Sequence, residues 1–185
     1  MTYNKSVCVF CGSRFGSDPE YALAAETLGR ALALAEIRLV FGAGDVGLMG
    51  AVANACKNAG GATLGVIPTH LMEAEGLAAL ENTIITENMH ERKKVMFMNS
   101  NAVVTLPGGA GSLDEVFEVL TWRQLGLHKK PVYLLNTNEY WNPLLGLIDH
   151  VIAQGFADIS FRASFRIASD IPTLMDMLHN DFTKD

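Results

Sequence analysis

Apolar positions along the 185-residue chain fall into short continuous runs separated by longer stretches of helical spacing. The runs at 7–10, 38–41, 63–67, 83–86, 102–106 and 132–135 combine β-branched and other large apolar residues between polar or Gly/Pro breaks, which predicts six strands. Between them, 21–35, 48–59, 90–99, 113–126, 143–154 and 172–180 place apolar residues three and four apart, which predicts helices. Several strands are apolar along their whole length, so the sheet must be covered on both faces. Strand and helix alternate, the pattern of βαβ units. The predicted class is therefore α/β, a doubly wound parallel sheet with helices on both faces. No internal repeat or low-complexity linker interrupts the pattern, and 1–185 is read as a single domain.

Composition narrows the chemistry. With 49% hydrophobic and 18% charged residues the chain is an ordinary globular sequence rather than a disordered one. A formal net charge of −6 argues against nucleic acid as a partner, because such binding needs a basic face; any phosphate recognition must be local. No stretch reaches the roughly 18 apolar residues of a membrane span. The start meets Cys11, Gly12 and Arg14 too soon for a signal peptide, so a cytoplasmic location is expected. Cys8 and Cys11 form a C-x-x-C, but the pair sits in a strand-like run rather than at a helix start, and Cys56 is the only other thiol. A closed zinc site lacks its ligands, and no metal is expected.

Two glycine loops compete for a ligand. Gly42-Ala43-Gly44-Asp45-Val46-Gly47 matches G-x-G-x-x-G between a strand and a helix. The acidic residue that a dinucleotide site needs about 20 positions later is missing, since Gly65-Val66-Ile67-Pro68 stands there. These glycines are read as tight-turn and close-packing residues. The second loop, Pro107-Gly108-Gly109-Ala110-Gly111-Ser112-Leu113-Asp114-Glu115, leaves a strand and enters a helix. Its glycines allow backbone N–H groups to face a ligand, and the helix start adds unpaired donors and the positive end of the dipole. Ser112 and Glu115 also spell a capping box, but a cap alone does not require Gly108, Gly109 and Gly111 ahead of it. A phosphate cradle accounts for all three.

Met89-His90-Glu91-Arg92-Lys93-Lys94 places three cations in the first turn of a helix, against its dipole. A nearby anion would relieve this. Arg92 and Lys93 are read as functional, Lys94 as a solvated charge and His90 as a packing residue.

Met89 to Lys93 together with Pro107 to Glu115 resemble the two signatures of the LONELY GUY family, the cytokinin riboside 5′-monophosphate phosphoribohydrolases. The similarity extends over Cys8 to Ser13, Gly42 to Gly50, Val66 to Pro68 and Thr121 to Pro131, through about Phe156, and the tail adds little. The resemblance implies a Rossmann-like fold, a homodimer with its active site near the subunit interface, and neither metal nor organic cofactor. Position by position, it implies Arg92 and Glu115 as catalytic residues. It implies Glu75, Met89, Lys93, Gly108, Gly109, Gly111, Ser112 and Thr121 as substrate-binding residues. Ser112 stands where the family usually has Thr, Gly42-Ala43-Gly44 where it has three glycines, and Asn101 where Asp is common.

The implied reaction is hydrolysis of the N-glycosidic bond of a nucleoside 5′-monophosphate, either AMP or isopentenyladenosine monophosphate. Bond cleavage builds oxocarbenium character on the ribose, and a carboxylate such as Glu115 stabilises it or guides the water. Water, a backbone donor or Asp114 could protonate the departing base. The alternative is a non-catalytic module of the same fold that binds a nucleotide or cofactor without cleaving it. A lysine decarboxylase would need a Schiff-base lysine in an apolar pocket and a carboxylate for the pyridoxal ring, and neither is identifiable.

Overall fold

The computed structural model describes residues 5–72 and 82–184. Seven strands form one parallel sheet: β1 (Ser6–Phe10), β2 (Arg38–Phe41), β3 (Thr63–Pro68), β4 (Thr83–Thr86), β5 (Ala102–Thr105), β6 (Val132–Leu135) and β7 (Arg166–Ala168). Their order across the sheet is β4-β3-β2-β1-β5-β6-β7, and every neighbouring pair is parallel. The helices are α1 (Pro19–Leu34), α2 (Gly47–Asn58), α3 (Met89–Met98), α4 (Ala110–Gln124), α5 (Asn142–Ala153) and α6 (Ile171–Phe182).

The period-two alternation of a strand divides the core into two layers. Val7, Val9, Leu39, Phe41 and Val104 face one side, where they pack with α1, α2 and α6 residues such as Leu28, Val52 and Leu174. Cys8, Phe10, Val40, Val103 and Leu134 face the other, against Met96 of α3, Val116 of α4 and Ile148 of α5. Strands apolar on both faces are thus buried on both faces, as the unbroken apolar runs require.

The register sets Cys8 beside Val40 of β2 and Val103 of β5. From β1 the chain winds through β2, β3 and β4 to one edge, then crosses back to β5 and winds to the other. The loops after β1 and β5 therefore diverge at the centre of the sheet, and that crevice beyond the carboxyl ends is where a doubly wound fold binds its ligands.

Two details differ from the sequence reading. The sheet has a seventh strand, β7, that no apolar run predicts, while α6 falls on the helix expected at 172–180 and its Ile171, Leu174 and Leu178 are core residues. The helix after the second glycine loop begins at Ala110, three residues before the expected start, so its opening contains Gly111 and Ser112.

Candidate active site

A cavity of about 450 Å³ opens at the divergence of the β1 and β5 loops. Its floor is the end of β1, and Gly12 of the β1 loop is locked to the β5 loop by its N–H donating to the Pro107 carbonyl at 3.0 Å. Gly108 is demanded by this close approach. A Cβ there would run into the Ser112 side chain and come within 2.9 Å of the Gly12 nitrogen. Gly109 and Gly111 are different, because a Cβ on either would meet nothing of the described residues within 4 Å. The chain's own packing does not exclude side chains at these two places.

Helix α4 opens into this cavity. Its N-cap is Gly109, which has no side chain to accept from the first-turn amides. The starts of α1, α3 and α6 are closed by the side chains of Asp18, Asn88 and Asp170. Helices α2 and α5 also lack a side-chain cap, but of these three uncapped helices only α4 has its first three residues, Ala110 to Ser112, all lining the cavity. The first amides of α4 and the positive end of its dipole are thus left for a ligand. Ser112 is the third residue of the helix and buried, so it is not the cap, and the capping-box reading does not hold. Glu115, a turn further along on the same side, is half-buried and lines the cavity.

Arg92 reaches the cavity from α3, the opposite side. The residue is 5% exposed and its guanidinium is held by two carbonyls, with Nε donating to Val66 in β3 at 3.1 Å and Nη2 to Gly42 just past β2 at 2.7 Å. Gly42 is thus a close-packing glycine, since a Cβ there would run into the Arg92 guanidinium, and the left-handed positions of this loop are Ala43 and Gly47. Met89, which also lines the cavity, sets its sulfur 3.7 Å from Nη1 of Arg92. Burial pushes the Cys8 thiol far above the ordinary thiol range, and the Glu115 charge pushes the same way while Lys130 and Arg92 oppose it. One buried atom of β1 thus feels both Glu115 and Arg92. A thiol held protonated in this way is no redox nucleophile.

The structure corrects the expected placement of the three cations: α3 begins at Met89 after its Asn88 cap, so Arg92, Lys93 and Lys94 are its fourth to sixth residues, past the first turn, and each is accommodated separately. Arg92 takes carbonyls, and Lys94 is exposed. Lys93 is buried and its Nζ pairs with Asp114 at 2.8 Å and Glu118 at 3.0 Å, tying α3 to α4. Burial pulls its ammonium down, but those two carboxylates outweigh burial and raise it above the ordinary lysine range. Lys93 is not among the cavity-lining residues, nor is Asp114, whose carboxylate this pairing engages. Thr121 lies on the exposed side of α4, outside the cavity, with its hydroxyl donating to the Phe117 carbonyl. His90, read as a packing residue, is exposed. Glu75 lies outside the described residues.

The cavity also contains residues that sequence reasoning did not single out as a site: Arg14 in the β1 loop, Tyr21 of α1, Met49 of α2, Met96 of α3 and Tyr140 after β6. Leu48, Met49, Leu71, Met89 and Met96 give the cavity apolar lining, with the Met49 sulfur 3.9 Å from Nη2 of Arg92. Among the described residues no lysine lines the cavity, so those present do not fit a pyridoxal Schiff base. Among the same residues no three His, Cys, Asp or Glu gather to hold a metal ion, and no helix is long and apolar enough to cross a membrane.

A family model described as possible lysine decarboxylase matches residues 49–178. The cytokinin riboside 5′-monophosphate phosphoribohydrolase of Rhodococcoides fascians is 46% identical over 172 residues, covering 90% of this chain and 85% of that protein. A probable enzyme of the same name from Oryza sativa subsp. japonica is 46% identical over 175 residues, covering 94% and 77%. One from Arabidopsis thaliana is 43% identical over 175 residues, again covering 94% and 77%. Among solved structures, the molybdenum cofactor binding protein of Rippkaea orientalis superposes with a TM-score of 0.73 at 24% identity, over 95% of this chain and 96% of that one. That likeness shows the Rossmann-like fold.

Proposed function

This chain belongs to the family whose model is described as possible lysine decarboxylase and whose curated relatives are cytokinin riboside 5′-monophosphate phosphoribohydrolases, and from that premise we propose its reaction. It hydrolyses the N-glycosidic bond of an adenosine 5′-monophosphate, plain or N6-substituted, releasing the free base and ribose 5-phosphate. The observation that carries this reading is a single cavity holding an uncapped helix start, a carboxylate and a buried guanidinium.

The substrate phosphate rests on the α4 opening, taking the amides around Gly109 and Gly111 and the hydroxyl of Ser112, with Gly108 fixing the loop. Like charges repel, so the Glu115 carboxylate faces the ribose rather than the phosphate. There it stabilises positive charge on the anomeric carbon as the C–N bond breaks and directs water to that carbon. The water supplies hydroxyl to the sugar and a proton to the base. Asp114 is engaged by Lys93 outside the cavity, which leaves solvent for that last transfer. Arg92, fixed by Val66 and Gly42, orients the substrate, while the base lies against Met49, Met89 and Leu71. Lys93 supports the site by joining α3 to α4.

The active protein is a homodimer. Met98, Leu125 and Leu127 are exposed at one end of the α3–α4 pair, where Phe97 touches both Trp122 and His128. Thr121 faces out on the same helix and meets substrate only if it serves a neighbouring subunit.

Incubating the purified protein with AMP and, separately, isopentenyladenosine monophosphate tests the reading, with chromatography for free base and ribose 5-phosphate. Release from either supports it. Saturable binding of both without product would replace it with a carrier, a role described for structural neighbours such as the molybdenum cofactor carrier protein of Chlamydomonas reinhardtii.

A further inference from the structure

The segment between β6 and α5 reaches over the cavity and touches the glycine loop at one point. Tyr140 lines the cavity, and its hydroxyl donates to the Gly108 carbonyl at 2.7 Å. That carbonyl belongs to the same planar trans peptide as the Gly109 N–H, so the two groups point in opposite directions. Holding one fixes the other. The restraint matters because the peptide lies between two glycines, whose wide φ/ψ freedom would otherwise let its plane rotate.

The tyrosine is itself held from several sides. Its ring meets Tyr21 edge-on at 5.4 Å and Trp141 at 4.8 Å between centroids. Its amide donates to the Thr137 carbonyl, and the next amide, of Trp141, donates to the Asn136 side chain at 2.7 Å. Asn138, in a left-handed conformation, donates to Asp18 at the start of α1, tying this turn across to the helix that follows the β1 loop. A turn this constrained delivers a hydroxyl to a fixed place.

We propose that Tyr140 is a positioning residue for substrate phosphate: by gripping the Gly108 carbonyl it fixes the plane of the Gly108–Gly109 peptide, and so aims the first amide of the cradle. This rests on the reading of that loop as the phosphate site. Tyr140 acts through the backbone, so its removal weakens phosphate binding and leaves the chemical step alone.

The test is Tyr140→Phe, which keeps the ring contacts and removes only the hydroxyl, with Tyr140→Leu as a packing control. Calorimetry measures ribose 5-phosphate binding, steady-state assays give KM and kcat for AMP, and adenosine is used as a competitive ligand lacking phosphate. One neutral hydrogen bond corresponds to about a three- to tenfold weakening of ribose 5-phosphate binding and of KM for AMP. The kcat is expected to stay within about twofold and adenosine binding to be unchanged. Tyr140→Phe binding ribose 5-phosphate as the parent does, with Tyr140→Leu impaired, would make the residue a packing element and overturn the proposal. So would equal weakening of adenosine and ribose 5-phosphate, or a parent protein that binds no ribose 5-phosphate. If the parent binds ribose 5-phosphate but cleaves no nucleotide, the hydrolase reading fails while the binding comparison still decides the role of Tyr140.

Discussion

Replacing Gly111 with Ala is predicted to stabilise the protein while crippling it. Gly111 is the second residue of α4, its φ is not positive, and a Cβ there meets none of the described residues within 4 Å. Glycine within a helix is less favourable than alanine by roughly 0.5 to 1 kcal/mol, mostly through the freedom it has when unfolded. With no collision to offset that gain, Gly111→Ala raises stability by about that amount, or roughly 1 to 4 °C in Tm for a chain of this size. Function moves the other way. Phosphate oxygens must come within about 2.9 Å of the amides around this residue, and a methyl group intrudes on that space. Overpacking of roughly 1 to 3 kcal/mol corresponds to a 5- to 150-fold rise in KM. Calorimetric unfolding and steady-state kinetics on AMP, run side by side, read both effects. A Gly111→Ala variant with parental KM would mean that nothing approaches the loop closely, and one with a lower Tm would mean that the open space beside Gly111 is misjudged.

Arg92→Met leaves the Val66 and Gly42 carbonyls without their buried donor, so a loss of about 2 to 4 kcal/mol in urea unfolding is expected together with loss of turnover. Unchanged stability would show that the two hydrogen bonds do not stabilise the fold. His128 makes stability fall with acid. Burial pushes its imidazole down, the hydrogen bond to Val119 only partly opposes this, Arg123 and Lys130 add to it, and Nδ1 is buried without a hydrogen-bond partner. The unfolded chain therefore takes up the proton at a higher pH than the folded one. The contribution is complete above the unfolded value, about 6.5, and is lost as pH falls below it towards the folded value. Tm measured from pH 8 to 5 should fall more steeply for the parent than for His128→Gln, and parallel profiles would contradict this. On the proposed dimer, Leu125→Glu puts a charge on the exposed apolar end of α4 and is expected to shift light scattering to monomer with activity lost alongside; a parent already monomeric, or an unchanged dimer, would contradict that interface.

Most of the sheet is legible because parallel strands buried on both faces leave unbroken apolar runs, as in β1, β2, β3, β5 and β6; the edge strand β4 is legible from its β-branched Thr-Ile-Ile-Thr run although Ile84 and Ile85 are exposed. The strand β7, Arg-Ile-Ala, escaped notice because three residues at a sheet edge carry no period. The sequence puts the start of α4 late for a related reason, since Gly109 and Gly111 look like loop on propensity grounds although they are its cap and first turn. That displacement also made Ser112 resemble a cap.

Site residues were legible where local spacing carries them, as at Gly108 to Glu115 and at Arg92. Lys93, adjacent to Arg92, shows the limit: neighbouring helix residues point about 100° apart, and here one turns to the cavity and the other to Asp114. Tyr140 and Met49 come from elements distant in sequence. Only the strand order, which sets the ends of β2, β1, β5 and β6 side by side, brings them to the same cavity.

The central claim is that the Glu115 carboxylate stabilises the ribose cation as the base departs, and the most direct measurement is the single-turnover rate of base release from AMP by Glu115→Gln, with ribose 5-phosphate binding measured on the same sample. A fall of roughly 10² to 10⁴ in rate with binding retained is the predicted result. A fall of less than about fivefold, in a variant that still binds, would contradict the account.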